Sequence, residues 1–491
     1  MKKSALIIGS GIAGLATACR LAHQGFSVEV FEANSYPGGK LSSNGNKAYR
    51  FDSGPSLFTL PTLVDELISD CGKNPRQYFN YSKKDIACHY FWEDGTKLQA
   101  SGDKYHFAAE AERQLGEKAE NVLRYLEEAE YIYQHTSPVF LEKSLHKAST
   151  YLNFTTLNSL SRIHKLKLTG TLHDTNQKSF ETDKMVQLFD RFATYNGSSP
   201  YLTPGVMSSI PHLEHNIGTY YPEGGMISIT KALYELSKDL GVNYHFNSRV
   251  DEILVEAGKA KGIRAGDEKC YADLVVSNMD VVPTYRKLLA SETAPEKTLA
   301  QARSSSALIF YWGIKGVFPE LDLHNIFFSD DYKAEFNAIF KEAQVFDDPT
   351  IYVNISSKED PFDAPKGCEN WFVMINVPGN SGQDWDAIIK RVRTNTLAKL
   401  SRILNKSIAD LIDFEEILDP RSIESKTSSY QGSLYGAGSN DIMSAFLRHP
   451  NFTKKIKGLY FCGGSVHPGG GIPLCLLSAQ ISANIIKTDY A

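Results

Sequence analysis

An α/β fold is predicted for this chain of 491 residues, and three stretches of sequence predict it. Ser4 to Ile8 (SALII) is an unbroken apolar run, as in a strand buried on both faces of a parallel sheet. A G-x-G-x-x-G turn follows at once and opens a helical pattern, after which a second apolar run ends on an acid. Far along the chain, residues 458–473 repeat the passage from strand through glycines into helix.

Each part of the first unit has a physical task. Gly9 permits the tight turn out of the strand, Gly11 lets backbone approach a pyrophosphate, and Gly14 lets the helix pack close to the sheet. Ile12 and Ala13 lie in the helix's first turn, where unpaired N–H groups attract phosphate. The helical pattern continues through Leu15, Ala18 and Leu21 and stops at Gly25, a candidate cap. Val28, Val30 and Phe31 form the second strand. Glu32, followed by Ala33, stands 18 residues after Gly14, placed to accept hydrogen bonds from ribose hydroxyls. The unit is read as a dinucleotide site, which does not by itself separate NAD from FAD.

Three later segments extend that site. Gly38-Gly39-Lys40 can bring N–H groups and a cation toward the same pyrophosphate. Phe51 to Ser56 is a further turn, containing Gly54, Pro55 and Ser56. In GLYFCGGSVHPGGGIP, Leu459 to Cys462 reads as a short strand. Gly463, Gly464, Gly469, Gly470 and Gly471 then crowd around His467 and Pro468, as expected where backbone presses on a flat ligand. From Ile472 the pattern is helical, so a second helix N-terminus would face the ligand.

Composition sets the outer limits. The chain is 42% hydrophobic and 22% charged, with net charge −5 and mean hydropathy −0.28. That balance argues against nucleic-acid binding, a disordered chain and a membrane-spanning helix, and leaves a membrane-surface protein open. The seven cysteines are widely spaced with no C-x-x-C, which points to a reducing cytoplasm and to neither disulfides nor a metal site. Lys2 and Lys3 before an apolar stretch imitate a secretion signal, but cleavage near Cys19 would destroy the glycine unit.

With these motifs assembled, the chain resembles the bacterial-type carotenoid desaturases of the flavin amine oxidase-like superfamily. The resemblance rests on residues 9–32, GGK at 38–40, DSGPS at 52–56 and HPGGGIP at 467–473. YYPEGGM at 220–226, ADLVVSNMD at 272–280, SSSALIFYWG at 304–313 and APKGCENWFVMINVP at 364–378 extend it. Within the family, the hydroxycarotenoid 3,4-desaturases are the most similar subgroup, including flavobacterial members that act on hydroxylated γ-carotene. The C-terminal motif departs from the family's stricter small-residue form at Ser465, Val466, Leu474 and Cys475.

The resemblance implies non-covalent FAD in a Rossmann-like domain of discontinuous segments, residues 1–80, 215–282 and 415–491. It implies an α+β substrate domain over 81–107, 174–214 and 283–414, and a helical lid over 108–173. Val250 would lie against the adenine, following a strand at Asn243 to Phe246. Asn278 and Met279 would approach the cofactor, and Gly463, Gly464, Gly471 and Ile472 would line its ribityl chain and ring. The implied activity is FAD-dependent desaturation of a hydrophobic, hydroxylated carotene, with phytoene or diapophytoene as the alternative substrate. An amine oxidase-like enzyme and a non-redox isoprenoid carrier are the competing readings. Oxygen or a quinone would reoxidise the flavin, since no second nucleotide fingerprint stands out.

The middle of the chain adds two expectations. Residues 108–135 read as one acidic amphipathic helix with Leu115, Val122, Leu126, Ala129 and Tyr133 inward. Residues 143–173 carry Lys143, Lys147, Arg162, Lys165 and Lys167 and no acid, interleaved with Leu145, Tyr151, Leu152, Phe154, Leu157, Leu160, Ile163, Leu166 and Leu168. Such a segment can rest on anionic lipid, so the protein is expected to be cytoplasmic and peripheral to the inner membrane. No catalytic residue is assigned. His467 is weighed as a base near the ring against a structural histidine, and Asp190 and Arg191 as tunnel residues against a structural ion pair. A terminal hydroxyl on the substrate would need a polar partner in the tunnel.

Overall fold

Two sheets organise the computed structural model, which describes residues 2–152 and 166–491. The first is parallel and five-stranded, ordered Leu459–Phe461, Leu274–Ser277, Ser4–Ile8, Ser27–Phe31, Asn243–His245. Alternation along its strands gives each face its own core. Ala5, Ile7, Val28 and Val30 pack beneath the helices Ile12–His23, Ile227–Asp239 and Ile472–Asp489. Leu6, Ile8, Phe31 and Val275 face a three-stranded antiparallel sheet, Glu252–Glu256, Lys259–Ala265 and Glu268–Tyr271, through Ile253, Ala260 and Ile263. The result is a three-layer nucleotide-binding body.

The second sheet has seven strands, ordered Ile412–Leu418, Ser306–Lys315, Cys368–Val377, Ile351–Asn354, His324–Phe327, Ile86–Phe91, Lys97–Ser101. Its pairings are antiparallel except between His324–Phe327 and Ile86–Phe91. Leu308, Phe310, Trp312, Trp371, Val373 and Ile375 pack on one face with the helix Trp385–Leu404. The intervening residues Ile309, Tyr311, Phe372 and Met374 turn to the opposite face, which floors a cavity. Unbroken hydrophobic strands such as SALIFYWGI are what a sheet covered on both faces requires.

The structure revises several expectations. The stretch expected as one helix over 108–135 is two, Lys104–Leu115 and Ala119–Thr136. Gly116, at φ 71°, ends the first, and Asp103 caps its start through the N–H groups of Tyr105 and His106. Val122, Leu126 and Ala129 are buried as expected, whereas Leu115 and Tyr133 are only half-buried. These helices also do not form a separate lid. Ala108, Ala111, Val122 and Leu126 share a core with Ala87, Leu98 and Ala100 of the second sheet. The boundary expected at 415 cuts the strand Ile412–Leu418, which pairs with Ser306–Lys315 and so belongs to the second sheet.

Of the basic segment, Leu152 to Lys165 falls outside the residues whose side chains are described, so Leu152, Phe154, Leu157, Leu160, Arg162, Ile163 and Lys165 are not placed. Among the described residues of that segment, Leu145 and Leu166 are buried, Lys147 lies 3.8 Å from Asp489, and Lys167 lies 2.5 Å from Glu128. Among the described residues no helix is long and apolar enough to cross a membrane.

Candidate active site

A continuous cavity of about 770 Å³ runs between the two bodies. All the sequence-predicted cofactor residues line it except Gly14. Gly14 acts from behind, because a Cβ there would stand 2.2 Å from the Gly9 carbonyl oxygen. Gly9 turns out of the strand at φ 91°, and its N–H bonds the Phe31 carbonyl at 2.8 Å. A Cβ on Gly11 would meet Asn278 Oδ1 at 2.8 Å, so the glycine keeps the backbone open beside that side chain.

Both long helices that reach the cavity begin on a glycine with no side-chain cap, Gly11 before Ile12 and Gly471 before Ile472. Their unpaired first-turn N–H groups make that part of the cavity suited to an anion. Glu32, buried at the end of its strand, accepts from Ser10 N and Oγ at 2.8 Å and from Asn34 N at 2.9 Å. Those bonds hold the carboxylate at the cavity wall beside Ala33 and Val250. Backbone contact continues across Gly463, Gly464 and Gly470. A Cβ on Gly470 would stand 2.7 Å from Tyr435 Cα. These cradles fit an extended dinucleotide with a flat ring at the Gly463–Ile472 end.

Lys40 behaves differently from the expectation. It lines the cavity, but its ammonium donates to the Ser433 and Leu434 carbonyls, each at 2.9 Å. Burial pulls its pKa down to about 8, opposed by Asp280. The side chain thus ties the glycine turn to the C-terminal part of the bed rather than standing free for a phosphate.

His467 takes its structural reading. It is not among the cavity-lining residues; its Nε2–H donates to the Lys143 carbonyl at 2.8 Å, and its own carbonyl accepts from Asn451 Nδ2 and Ser478 Oγ at 2.8 Å. Burial pushes its pKa to about 4, so the ring is neutral at pH 7. Asp190 and Arg191 do not pair with each other. Asp190 bonds His173 Nδ1 at 2.6 Å and Asn176 Nδ2 at 2.8 Å, away from the cavity. Arg191 does line it, paired with Glu214 at 3.1 Å and donating to Tyr90 Oη at 2.8 Å. Tyr195 donates to the same carboxylate.

Sequence reasoning missed Glu214, His324, Glu335 and Tyr352, all at the cavity wall. They come from four separate stretches, and only alternation along Ile351–Asn354 and His324–Phe327 could have flagged two of them. Glu335 accepts from Thr350 N at 3.0 Å and Thr350 Oγ1 at 2.7 Å, and burial lifts its pKa to about 7. A carboxyl raised in the folded state stabilises fully below its unfolded value near 4.5, and that stability is lost as pH rises through about 7. Glu335→Gln should therefore match the parent at pH 4 and exceed it at pH 8 by up to about 3 kcal/mol. Urea midpoints at the two pH values check this; an equal gap at both would refute it.

A glycine-bedded dinucleotide cavity joined to a channel over a mixed sheet defines a class, and the comparisons agree with it. The chain belongs to the family described as flavin containing amine oxidoreductase, whose model matches residues 12–487. The dinucleotide bed and this family together make the cofactor FAD and the protein an FAD-dependent oxidoreductase. Within the family the chain is 55% identical over 489 residues to the 1-hydroxycarotenoid 3,4-desaturase of Flavobacterium sp. (strain P99-3), covering 100% of both chains. It is 32% identical to the 4,4'-diapolycopene oxygenase of Methylomonas sp, over 99% of this chain and 98% of that one. The solved cyclohexylamine oxidase from Brevibacterium oxydans IH-35A superposes with TM-score 0.64 over 100% of each chain at 14% identity, a likeness of fold alone.

Proposed function

We propose that the protein is a carotenoid desaturase acting on a 1-hydroxylated carotene, forming the 3,4 double bond in carotenoid biosynthesis. The observation that carries this is the apolar floor of the channel. Ile309, Tyr311, Ile326, Phe372 and Met374, on three strands of the second sheet, line the channel beyond the glycine bed. Such a wall suits a long polyene and offers an amine no counter-charge along that stretch. The identity with the 1-hydroxycarotenoid 3,4-desaturase supports the same substrate class.

In this reading Gly9, Gly11, Ile12, Ala13, Gly38 and Gly39 take the pyrophosphate side of FAD, with Gly14 holding the helix close. Glu32, Ala33 and Val250 take the adenosine. Gly54, Pro55, Ser56, Asn278, Met279, Gly463, Gly464, Gly471 and Ile472 take the ribityl chain and ring, with Lys40 fastening the bed behind them. When bound, FAD supplies a two-electron acceptor for hydride. The chain's own residues place the carotene C–H beside that acceptor and keep water from the channel. The conjugated chain spreads the transient positive charge while the adjacent carbon gives up its proton, which passes by way of the polar side chains of the cavity wall to bulk water, so no single base is assigned.

Expression in strains that accumulate different carotenes tests the proposal. A loss of two mass units from the hydroxylated carotene, with phytoene untouched, is expected. Conversion of phytoene instead would overturn the substrate, and turnover of polyamines the reaction class. We also infer that oxygen or a membrane quinone reoxidises the flavin; anaerobic turnover with NADP⁺ as sole acceptor would contradict this.

The protein is further proposed to sit in the cytoplasm on the inner-membrane surface, where its water-insoluble substrate resides. Two features support this: the basic composition of residues 143–173, and exposed Ile442, Met443 and Leu447 near Phe446, whose ring lies 4.8 Å from that of Phe140. Charge reversal at Lys143, Arg162 and Lys165 should lower sedimentation with anionic liposomes severalfold. Lys147 and Lys167 are left in place because they pair with Asp489 and Glu128. Unchanged sedimentation would remove the membrane role.

A further inference from the structure

Beside the glycine bed the cavity wall holds a polar corner next to the apolar floor of the channel. Ser56, in the turn after Gly54, bonds Tyr352 Oη at 2.8 Å, and Tyr352 Oη bonds His324 Nδ1 at 2.8 Å. His324 is thus only two hydrogen bonds from a residue of the proposed flavin bed.

The tautomer of His324 follows from its neighbours. Asn354 Nδ2 lies 3.2 Å from Nδ1 and also donates to the Leu323 carbonyl at 2.9 Å, so it is an amide nitrogen and a donor. Nδ1 must then accept. Burial pulls the ring's pKa to about 4, so it is neutral at pH 7 and carries its one proton on Nε2. That N–H is buried and has no protein partner. Arg191 Nε, on the same cavity wall, is also buried without a partner. A buried donor without an acceptor is costly, and since His324 and Arg191 both line this cavity, a ligand oxygen bound there would relieve that cost.

We propose that His324 Nε2–H, assisted by Arg191 Nε–H, is the donor that binds the hydroxyl oxygen of the carotene and so selects hydroxylated substrate. The inference rests on the desaturase reading above. In a 1-hydroxylated carotene desaturated between carbons 3 and 4, the oxygen is only two carbons from the nearer reacting carbon. The group that recognises it must therefore stand beside the flavin bed, as His324 does, and not at the far end of the channel. A site with donors aimed at a hydroxyl leaves them unpaired when the analogue lacks it, which is how polar sites discriminate strongly.

The test compares kcat/KM of the FAD-loaded protein for a 1-hydroxy-1,2-dihydro carotene and its 1-deoxy counterpart. Wild type should favour the hydroxylated substrate about hundredfold. His324→Asn places an amide where Nδ1 was and removes the outer donor, so the preference should fall at least tenfold. His324→Gln places an amide N–H where Nε2–H was and should keep the preference within about threefold. Flavin absorbance and Tm of each variant report folding. A preference unchanged in His324→Asn, or equal turnover of both carotenes by wild type, overturns the proposal. Loss of preference in both variants reduces His324 to a structural part and overturns it as well. No turnover of either carotene by wild type instead overturns the substrate reading, and this subsite with it.

Discussion

Gly14→Ala is expected to give a colourless protein. The new Cβ would lie 2.2 Å from the Gly9 carbonyl oxygen, 3.2 Å from the Gly9 carbonyl carbon and 3.0 Å from Asn278 Oδ1. Two of those atoms are backbone, so no rotamer change relieves the overlap. Either the helix Ile12–His23 moves off the sheet or the Gly9 turn opens, and both displace the N–H groups at the pyrophosphate position. Overpacking of this kind costs about 1–3 kcal/mol, and a hundredfold loss of FAD affinity corresponds to the upper end of that range. Gly25→Ala is the control. Gly25 has φ 94° but nothing within 4 Å of a Cβ, so the substitution meets only backbone strain and should leave a yellow protein. The measurement is flavin retained after gel filtration, followed by fluorescence titration of the apoprotein. Equal flavin content in the two variants would contradict the close-packing account.

The second large effect is expected at Arg191. Its guanidinium and the Glu214 carboxylate are 3.1 Å apart, with side chains 9% and 2% exposed. Arg191→Met would leave that carboxylate buried beside the Tyr90 and Tyr195 hydroxyls and the neutral His215 ring 3.7 Å away, with no charge to balance it, and breaking a buried pair from one side costs about 3–5 kcal/mol. Removing both charges in Arg191→Met/Glu214→Leu should recover at least half of the loss, because no charge is then stranded. Urea unfolding of the two variants reads this directly. The exposed pair Lys118–Glu181 should barely move the midpoint when broken, since its side chains are 62% and 55% exposed. A double variant at Arg191 and Glu214 no more stable than the single one would show that packing volume, not stranded charge, sets the cost.

That the predicted cofactor residues gather at one cavity was legible because the physics there is local. Gly9, Gly11 and Gly14 act within a few residues of one another, and Glu32 is reached across one helix. The C-terminal glycines were legible for the same reason, since crowding of glycine is itself the signal. The substrate half was not legible. His324 gains its meaning from Tyr352 and Asn354 on the neighbouring strand, and Arg191 from Glu214 and Tyr90. Those partners meet only through sheet register, which one sequence does not print. Lys40 shows the same boundary. Its place beside the glycine turn was legible, but the carbonyls of Ser433 and Leu434 that take its ammonium lie nearly 400 residues away. The break at Gly116 was missed because the apolar spacing continues across it while the backbone does not.

The strand order of the first sheet also has a consequence in time. Ser4–Ile8 and Ser27–Phe31 leave the ribosome first, yet their sheet is finished only by Leu459–Phe461, and the helix Ile472–Asp489 covers it last. At about 5–20 residues per second, the early strands wait on the order of tens of seconds for the others. Through that interval the apolar face of Ala5, Ile7, Val28 and Val30 lacks its last helix and a strand edge stands open, a natural point of engagement for chaperones. Capture of the flavin must then follow translation rather than accompany it. Colour in the cell would accordingly mark molecules that have finished this assembly, and nascent chains stalled before residue 459 would stay colourless however abundant the cofactor.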